Sequence, residues 1–431
     1  MATLKIQLRQ HTPIIHFQHD REYATIRATE LKPKLDRFLK DRAPDLPFDE
    51  HGALKYKVRI KAGRMSVSNI EEPNIDPTTG QQRRDWQNRP IWKQFPLFFG
   101  NMGEDNQREP KKFVFSEEPA EVQILCFESD VMKAIKEHVA VFFMRTTFGM
   151  RQTKGFGSFY LDPSDPLYKQ HPASLSYRFT VNTDQIQEGR EQREWIQWGN
   201  WHQLWAKWRA LYCDIALFYR SLRSGINEIR GRAPRAHTVF YFKSMMFLYF
   251  KEKYKKQWDK KSIKQEYFPG ELLIQQGRHI DPNGPVQYNS ECKAYPYELL
   301  VKDLLGLSSE ETWRFYNAKI TKKHIGEIVR YKSPLFFKPI RTGTGYDVWF
   351  DADTIPRYYF EKNFDIKNNG CGSLQLTTPK WTEFDIHEFI RFAVSKDLSR
   401  HVEIRFHNTI DFNRLTGIYS EIKNCIPGGR P

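Results

Sequence analysis

Over the first 160 residues the apolar positions switch between a period of two and a helical period, in an order that few folds admit. Leu4, Ile6 and Leu8 alternate with Lys5, Gln7 and Arg9, as in a half-buried strand. Pro13 and the run IIHF extend or end it. In ELKPKLDRFLKD, Leu31, Leu35, Phe38 and Leu39 share one helical face. Thr29 is the expected N-cap, and Pro33 falls in the first turn, where its missing N–H costs little. Leu54, Tyr56, Val58 and Ile60 then alternate with Lys55, Lys57, Arg59 and Lys61. Residues 66 to 112, with PTTG, NRP and GNMGEDNQREPKK, read as long loops. KKFVF predicts a strand, DVMKAIKEHVAVFFM a helix capped by Ser129 or Asp130, and GSFYL a closing strand. The order is strand, helix, strand, strand, helix, strand. That is the βαββαβ plan of a ferredoxin-like or RNA-recognition-type unit.

The proline-rich stretch DPSDPLYKQHPAS breaks the pattern and divides the chain into residues 1–168 and 169–431. SLSYRFTV predicts a new strand. A helical region from about Glu191 to Arg230 carries Trp195, Trp198, Trp201, Trp205 and Trp208 at helical spacing, a stripe read as core packing. HTVFYFKSMMFLYFKEKYKKQW and AYPYELLVKDLLGL predict helices. EIVRYKSPLFFKPI and GYDVWF predict strands joined by RTGTG. EFDIHEFIRFAVSKD predicts a helix and VEIRFHN a strand. The fold class is α+β: two ferredoxin-like units, the second with a large helical insertion.

Lys and Arg total 67 against 52 acidic residues, a formal charge of +15, which favours a polyanionic partner. A hydrophobic content of 39% supplies packed cores and excludes a disordered chain. Cys126, Cys213, Cys292, Cys371 and Cys425 form no CxxC pair, so neither a zinc knuckle nor a disulfide framework is expected. No apolar run reaches the length of a membrane span, and the expected setting is the cytoplasm. Lysines crowd from Lys243 to Lys264. They suit either a solvated helix end or sequence-independent phosphate contacts.

GMRQTKGFGSFY, Gly149 to Tyr160, carries the chemistry. Gly155 and Gly157 allow backbone angles and close approaches closed to residues with a Cβ. Such a loop can turn its amides toward phosphate oxygens, with Arg145, Arg151 and Lys154 as counter-charge. Phe156 would stack on a base or pack inward. GxxxxGK[ST] is absent, and no helix opens on GxGxxG.

Three stretches, TPIIHF with ATIRATELKPKLDRFL, then GMRQTKGFGSF, then RYKSPLFFKPI, resemble the RAMP superfamily of CRISPR systems. Two units and the third stretch make the chain most similar to the first subunit of the Cmr (type III-B) effector complex. The resemblance implies a non-catalytic RNA-binding subunit acting in antiviral defence, with crRNA, target RNA and other Cmr-type subunits as partners. It implies no cofactor and no metal. The RNA path it implies takes in Arg27, Lys32, Lys34, Arg145, Arg151, Lys154, Gly155, Phe156 and Gly157. The glycine pair usual after T-P is replaced here by HFQHD. Some relatives process crRNA by metal-independent cleavage at a 2′-hydroxyl, so the alternative is an endoribonuclease with His16 or His19 as general acid or base, near His11.

Overall fold

The computed structural model describes residues 2–15, 25–69, 71–74, 76, 79, 81–94, 112–170, 175–183, 201–230, 237–255, 257–268, 298–313, 318–324, 326, 328 and 331–426. In chain order the first elements are β1 (Ala2–Gln10), α1 (Ala28–Arg42), β2 (Tyr56–Lys61), β3 (Met65–Asn69), β4 (Glu71–Pro73) and β5 (Trp92–Gln94). Next come β6 (Lys112–Ser116), β7 (Ala120–Cys126), α2 (Ser129–Met144), β8 (Phe159–Leu161), β9 (Tyr177–Asn182) and α3 (Trp201–Arg223). Then follow β10 (Ile226–Arg230), β11 (His237–Phe242), α4 (Met245–Tyr254), β12 (Gln257–Trp258), α5 (Asp259–Tyr267), β13 (Glu298–Leu299), β14 (Glu310–Trp313) and β15 (Ala318–His324). The chain closes with β16 (Leu335–Arg341), β17 (Gly345–Ala352), β18 (Asn363–Asn368), β19 (Cys371–Thr377), α6 (Ile386–Ser395) and α7 (Ile410–Asn424). Two compact units result: Met1–Ile215 with Phe336–Asp351, and Ala216–Leu335 with Ala352–Pro431.

The first unit is built on a four-stranded sheet of order β2-β7-β1-β8, every pair antiparallel. Its third strand in sequence is β7, AEVQILC, which alternates buried and half-buried residues. KKFVF does form a strand, β6, but it pairs with β3 in a separate ribbon. β3, β4 and β5 are short strands within the segment between 66 and 112 expected as loop. On one sheet face Leu4, Ile6, Leu8, Val122 and Ile124 meet Leu31, Leu35 and Leu39 of α1 and Ile135, Phe142 and Phe143 of α2. Each such side chain contributes roughly 1.5–3 kcal/mol when fully buried.

The helix caps differ from expectation. α1 starts before Thr29, and Arg27 is its N-cap, with no side-chain cap bond. Glu128, not Ser129 or Asp130, precedes α2. β9 pairs antiparallel with β17, so the chain after residue 168 still belongs to the first unit. Trp208 of α3 is buried edge-on against Phe113 and Phe115, as a core stripe requires. Trp195 and Trp198 lie outside the described residues. The helix ends at Arg223 because Gly225 turns the chain at φ 76°, where a Cβ would stand 2.7 Å from the Phe242 carbonyl oxygen.

The second unit carries a six-stranded sheet of order β12-β13-β19-β18-β15-β14 and the ribbon β10-β11. HTVFYF is strand β11, and its helix begins only after the Ser244 cap. In place of a helix over AYPYELLVKDLLGL stand β13 and a 3-10 turn, Lys302–Leu305. VEIRFHN holds the 3-10 turn Ile404–Phe406, and α7 follows it. A cluster of six charges, four of them buried and Arg223 and Glu311 half-buried, sits within this unit. Lys322 pairs with Asp303 and, at 2.6 Å, with Glu311. Lys302 pairs with Glu311 at 2.6 Å and lies 3.6 Å from Asp259, and Arg223 meets Asp303 at 2.5 Å. Three cations balance three carboxylates, so each charge of this cluster has a partner of opposite sign. Among the described residues no helix is long and apolar enough to cross a membrane.

Candidate nucleic-acid interface

The glycine loop is a packed junction. Arg151, Gly155 and Gly157 all take left-handed backbone angles, at φ 55°, 82° and 61°. A Cβ on Gly157 would lie 1.9 Å from the Phe148 carbonyl oxygen, and one on Gly155 2.7 Å from the Pro339 ring. The close approach inferred from these glycines is real, but the approaching atoms are protein. The amides are taken as well: Gly157 N donates to Pro13 O at 2.9 Å, Gly155 N to Gln152 O at 3.0 Å and Met150 N to Ile15 O at 2.7 Å. Ser158 N donates to Thr12 Oγ1 at 2.9 Å, and that hydroxyl donates to Gly155 O at 2.7 Å. Phe156 is 1% exposed and stacks on Tyr212 with centroids 3.9 Å apart. The expectation that Gly155, Phe156 and Gly157 touch RNA finds no exposed group in the described structure: the Phe156 ring is buried, and the Gly155 and Gly157 amides bond to protein carbonyls.

The three motif stretches converge here. Lys338 of β16 is buried and donates to Thr146 O at 2.8 Å and Phe159 O at 2.7 Å. Burial, with Lys34 adding to it, pushes its ammonium well below the usual lysine range. His11 is buried, and its Nδ1 accepts from Arg341 N at 2.9 Å. Burial first, then Lys338, Arg9 and Arg341, push its pKa down to about 3, so the ring is neutral and structural. His16 and His19 lie outside the described residues.

An anion already occupies the loop, and it is the chain's own. The Glu30 carboxylate accepts from Gly149 N at 3.0 Å, Gln152 Nε2 at 3.1 Å and Lys34 Nζ at 2.8 Å. The expected RNA-facing cations also have internal duties. Lys34 reaches Thr147 O at 2.8 Å, while Lys32 holds Asp36 at 2.7 Å and Leu54 O at 2.9 Å. Arg145 lies 3.3 Å from Asp351. Arg27 caps α1 and is half-buried, as are Arg151 and Lys154. Burial pushes the Arg151 guanidinium down to about 10.

A broader cationic surface lies on the open face of the four-stranded sheet. Lys57, Arg59 and Lys61 of β2 are exposed, as are Lys5 and Arg9 of β1. The register sets Arg59, Gln123 and Lys5 in one row across three strands and Lys61, Glu121 and Gln7 in the next. Consecutive cations on β2 are two residues apart, about 7 Å along the strand. Two carboxylates offset the five cations. Asp162 pairs with Arg9 at 2.9 Å, and Glu121 accepts from Gln123 at 2.6 Å and Gln7 at 3.3 Å. Hydrogen bonding from Gln123 comes first among the causes holding Glu121 below the usual carboxylate range, with Lys5 and Lys61 adding to it.

The family model for the Cmr1 N-terminal domain matches residues 1–226, and that for the Cmr1 C-terminal domain matches residues 241–415. The chain belongs to the Cmr1 family. It is a Cmr1-like RAMP subunit of type III-B, and family membership supports a place in the Cmr complex. Among solved structures it is similar to the apo crystal structure of Cmr1 from Pyrococcus furiosus, at 11% identity over 92% of this chain and 97% of that chain, with a TM-score of 0.27. No curated protein matches.

Two features of this Cmr1-family chain escaped a reading aimed at glycines. The alternation of Lys55, Lys57, Arg59 and Lys61 was visible as a strand signal, and the same period places the last three on one face. The other is the turn between β4 and β5. Asp85 accepts from Arg89 N at 2.9 Å and Gln87 N at 2.8 Å, and Trp86 is left 88% exposed near Arg83, Arg84 and Arg89 in sequence. An exposed tryptophan among arginines was its signal, in a segment read as loop. Among the described residues no group of three or more His, Cys, Asp or Glu is placed to hold a metal.

Proposed function

We propose that this chain is a non-catalytic subunit of a Cmr-type CRISPR effector that binds crRNA or target RNA along the ribose-phosphate backbone. The observation that carries the reading is the open sheet face, where Lys5, Arg9, Lys57, Arg59 and Lys61 stand exposed in a fixed register. Such a face neutralises phosphates and reads no sequence, which suits a complex whose specificity comes from base pairing. Trp86 supplies an aromatic surface in the same unit. Both units are read as ferredoxin-like, a reading supported in the first by the strand order β2-β7-β1-β8.

The test is the salt dependence of single-stranded RNA binding. The variant Lys57→Ala/Arg59→Ala/Lys61→Ala is expected to lower the log–log slope by about 2, at about 0.7 per lost phosphate contact. Its thermal unfolding is expected to match the parent, because all three side chains are exposed. RNA incubated with the protein and a chelator is expected to stay intact. An unchanged slope removes the sheet face from the RNA path, and cleavage overturns the non-catalytic role.

A further inference from the structure

A different surface, within the second unit, has the makings of a base-stacking site. Two short turns build it: the 3-10 turn Arg357–Tyr359 and the 3-10 turn Trp381–Glu383. Pro356, at φ −60°, leads into the first. Tyr359 anchors that turn from inside. It is fully buried, stacks on Tyr331 with centroids 4.3 Å apart, and its hydroxyl lies 3.3 Å from Asp303 O. The turns are strapped together by backbone and side chain. Thr378 Oγ1 donates to Tyr359 O at 2.8 Å, Glu361 N to Pro379 O at 3.1 Å and Lys362 N to Thr378 Oγ1 at 2.8 Å.

With Tyr359 turned inward, Arg357 and Tyr358 face solvent. Tyr358 is 62% exposed and Trp381 49% exposed, and the Arg357 guanidinium lies over the Trp381 ring at 4.9 Å. Nucleobases stack on guanidinium planes as they do on aromatic rings, so a guanidinium over an exposed indole and the indole itself both suit a further flat ring. Two acids of this region have their own partners: Glu383 accepts from Lys380 N at 3.1 Å, and Asp353 lies 3.6 Å from Lys332, while Glu361 is exposed. Exposed Lys380 adds positive charge beside Trp381.

We propose that Arg357, Tyr358 and Trp381 form a platform that stacks bases of single-stranded RNA. The sheet face reads only phosphate, whereas this site requires a base. The inference rests on the RNA-binding reading above, and the experiment separates the two. The residues beside the two rings in sequence, Arg357, Lys380 and Thr382, are polar and exposed, unlike the apolar centre of a protein-binding hot spot.

The experiment measures binding of the full chain to a short oligoadenylate and to an abasic ribose-phosphate chain of equal length. The wild type is expected to prefer the oligoadenylate by about 10-fold or more. Trp381→Ala is expected to lose that preference while binding the abasic chain as before, and Trp381→Phe, which keeps a ring, to retain most of it. A preference that survives in Trp381→Ala overturns the platform, as does a wild type that never discriminates. So does a Trp381→Ala variant that keeps the preference but no longer joins the other effector subunits, which makes the surface a protein contact. If the wild type binds neither chain at low salt, the RNA-binding reading fails and the platform with it.

Discussion

His11 is neutral because burial removes the water that would solvate an imidazolium, and Lys338, Arg9 and Arg341 add like charge. Its pKa lies at about 3 in the fold against an ordinary 6.5. The unfolded ring takes a proton below about pH 6.5 and the folded ring only near 3. Stability is therefore full above 6.5 and falls as the pH drops, by about 2 kcal/mol between pH 7 and 5. His11→Asn keeps an acceptor for Arg341 N and carries no titrating ring. Urea unfolding at the two pH values is expected to show a smaller acid loss in the variant, and an equal loss would assign the sensitivity to other groups. Residue type alone gave poor guidance in this region. Phe156, a candidate RNA contact in sequence, is buried, as are His11 and Lys338, because nothing local indicates that β16 packs against the loop from more than 170 residues away.

The glycine loop reads differently as an element. That Gly155 and Gly157 need the absence of a Cβ was legible, since both glycines take positive φ and meet close neighbours. What approaches them was not legible, because a glycine signals space and not its occupant. Gly157→Ala forces a Cβ into the Phe148 carbonyl at a left-handed angle. A destabilisation of at least about 2 kcal/mol is expected in chemical denaturation. RNA affinity of the protein that remains folded is expected to be unchanged, and a stable variant with weakened RNA binding would return the loop to the interface. Strand β7 was missed for a related reason. Its buried residues include Ala120 and Cys126, weak apolar signals, while the neighbouring KKFVF is strongly apolar because Phe113, Val114 and Phe115 are all buried in the ribbon. The hairpin of β16 and β17 was legible from its glycine-rich turn, although β16 begins only at Leu335, well inside the stretch EIVRYKSPLFFKPI.

At the scale of the whole molecule, the excess of 67 cations over 52 acids resolves into distinct roles. Lys302, Lys322 and Arg223 balance carboxylates inside the second unit, and Lys34, Lys32 and Lys338 fasten loops in the first. Cations of β1 and β2 stand at the surface in register. The succession of strands and helices in the first unit followed from the change of apolar period, except that β7 and not β6 is the third strand of its sheet. The division between units did not, because β9 and β17 pair across some 165 residues of sequence. Lysine acetylation footprinting of the full chain, with and without single-stranded RNA, tests the central claim most directly. Lys5, Lys57 and Lys61 are expected to react freely alone and to be protected by RNA, with Lys338 unreactive in both states. Lysines of the sheet face that react equally with and without bound RNA would contradict the account.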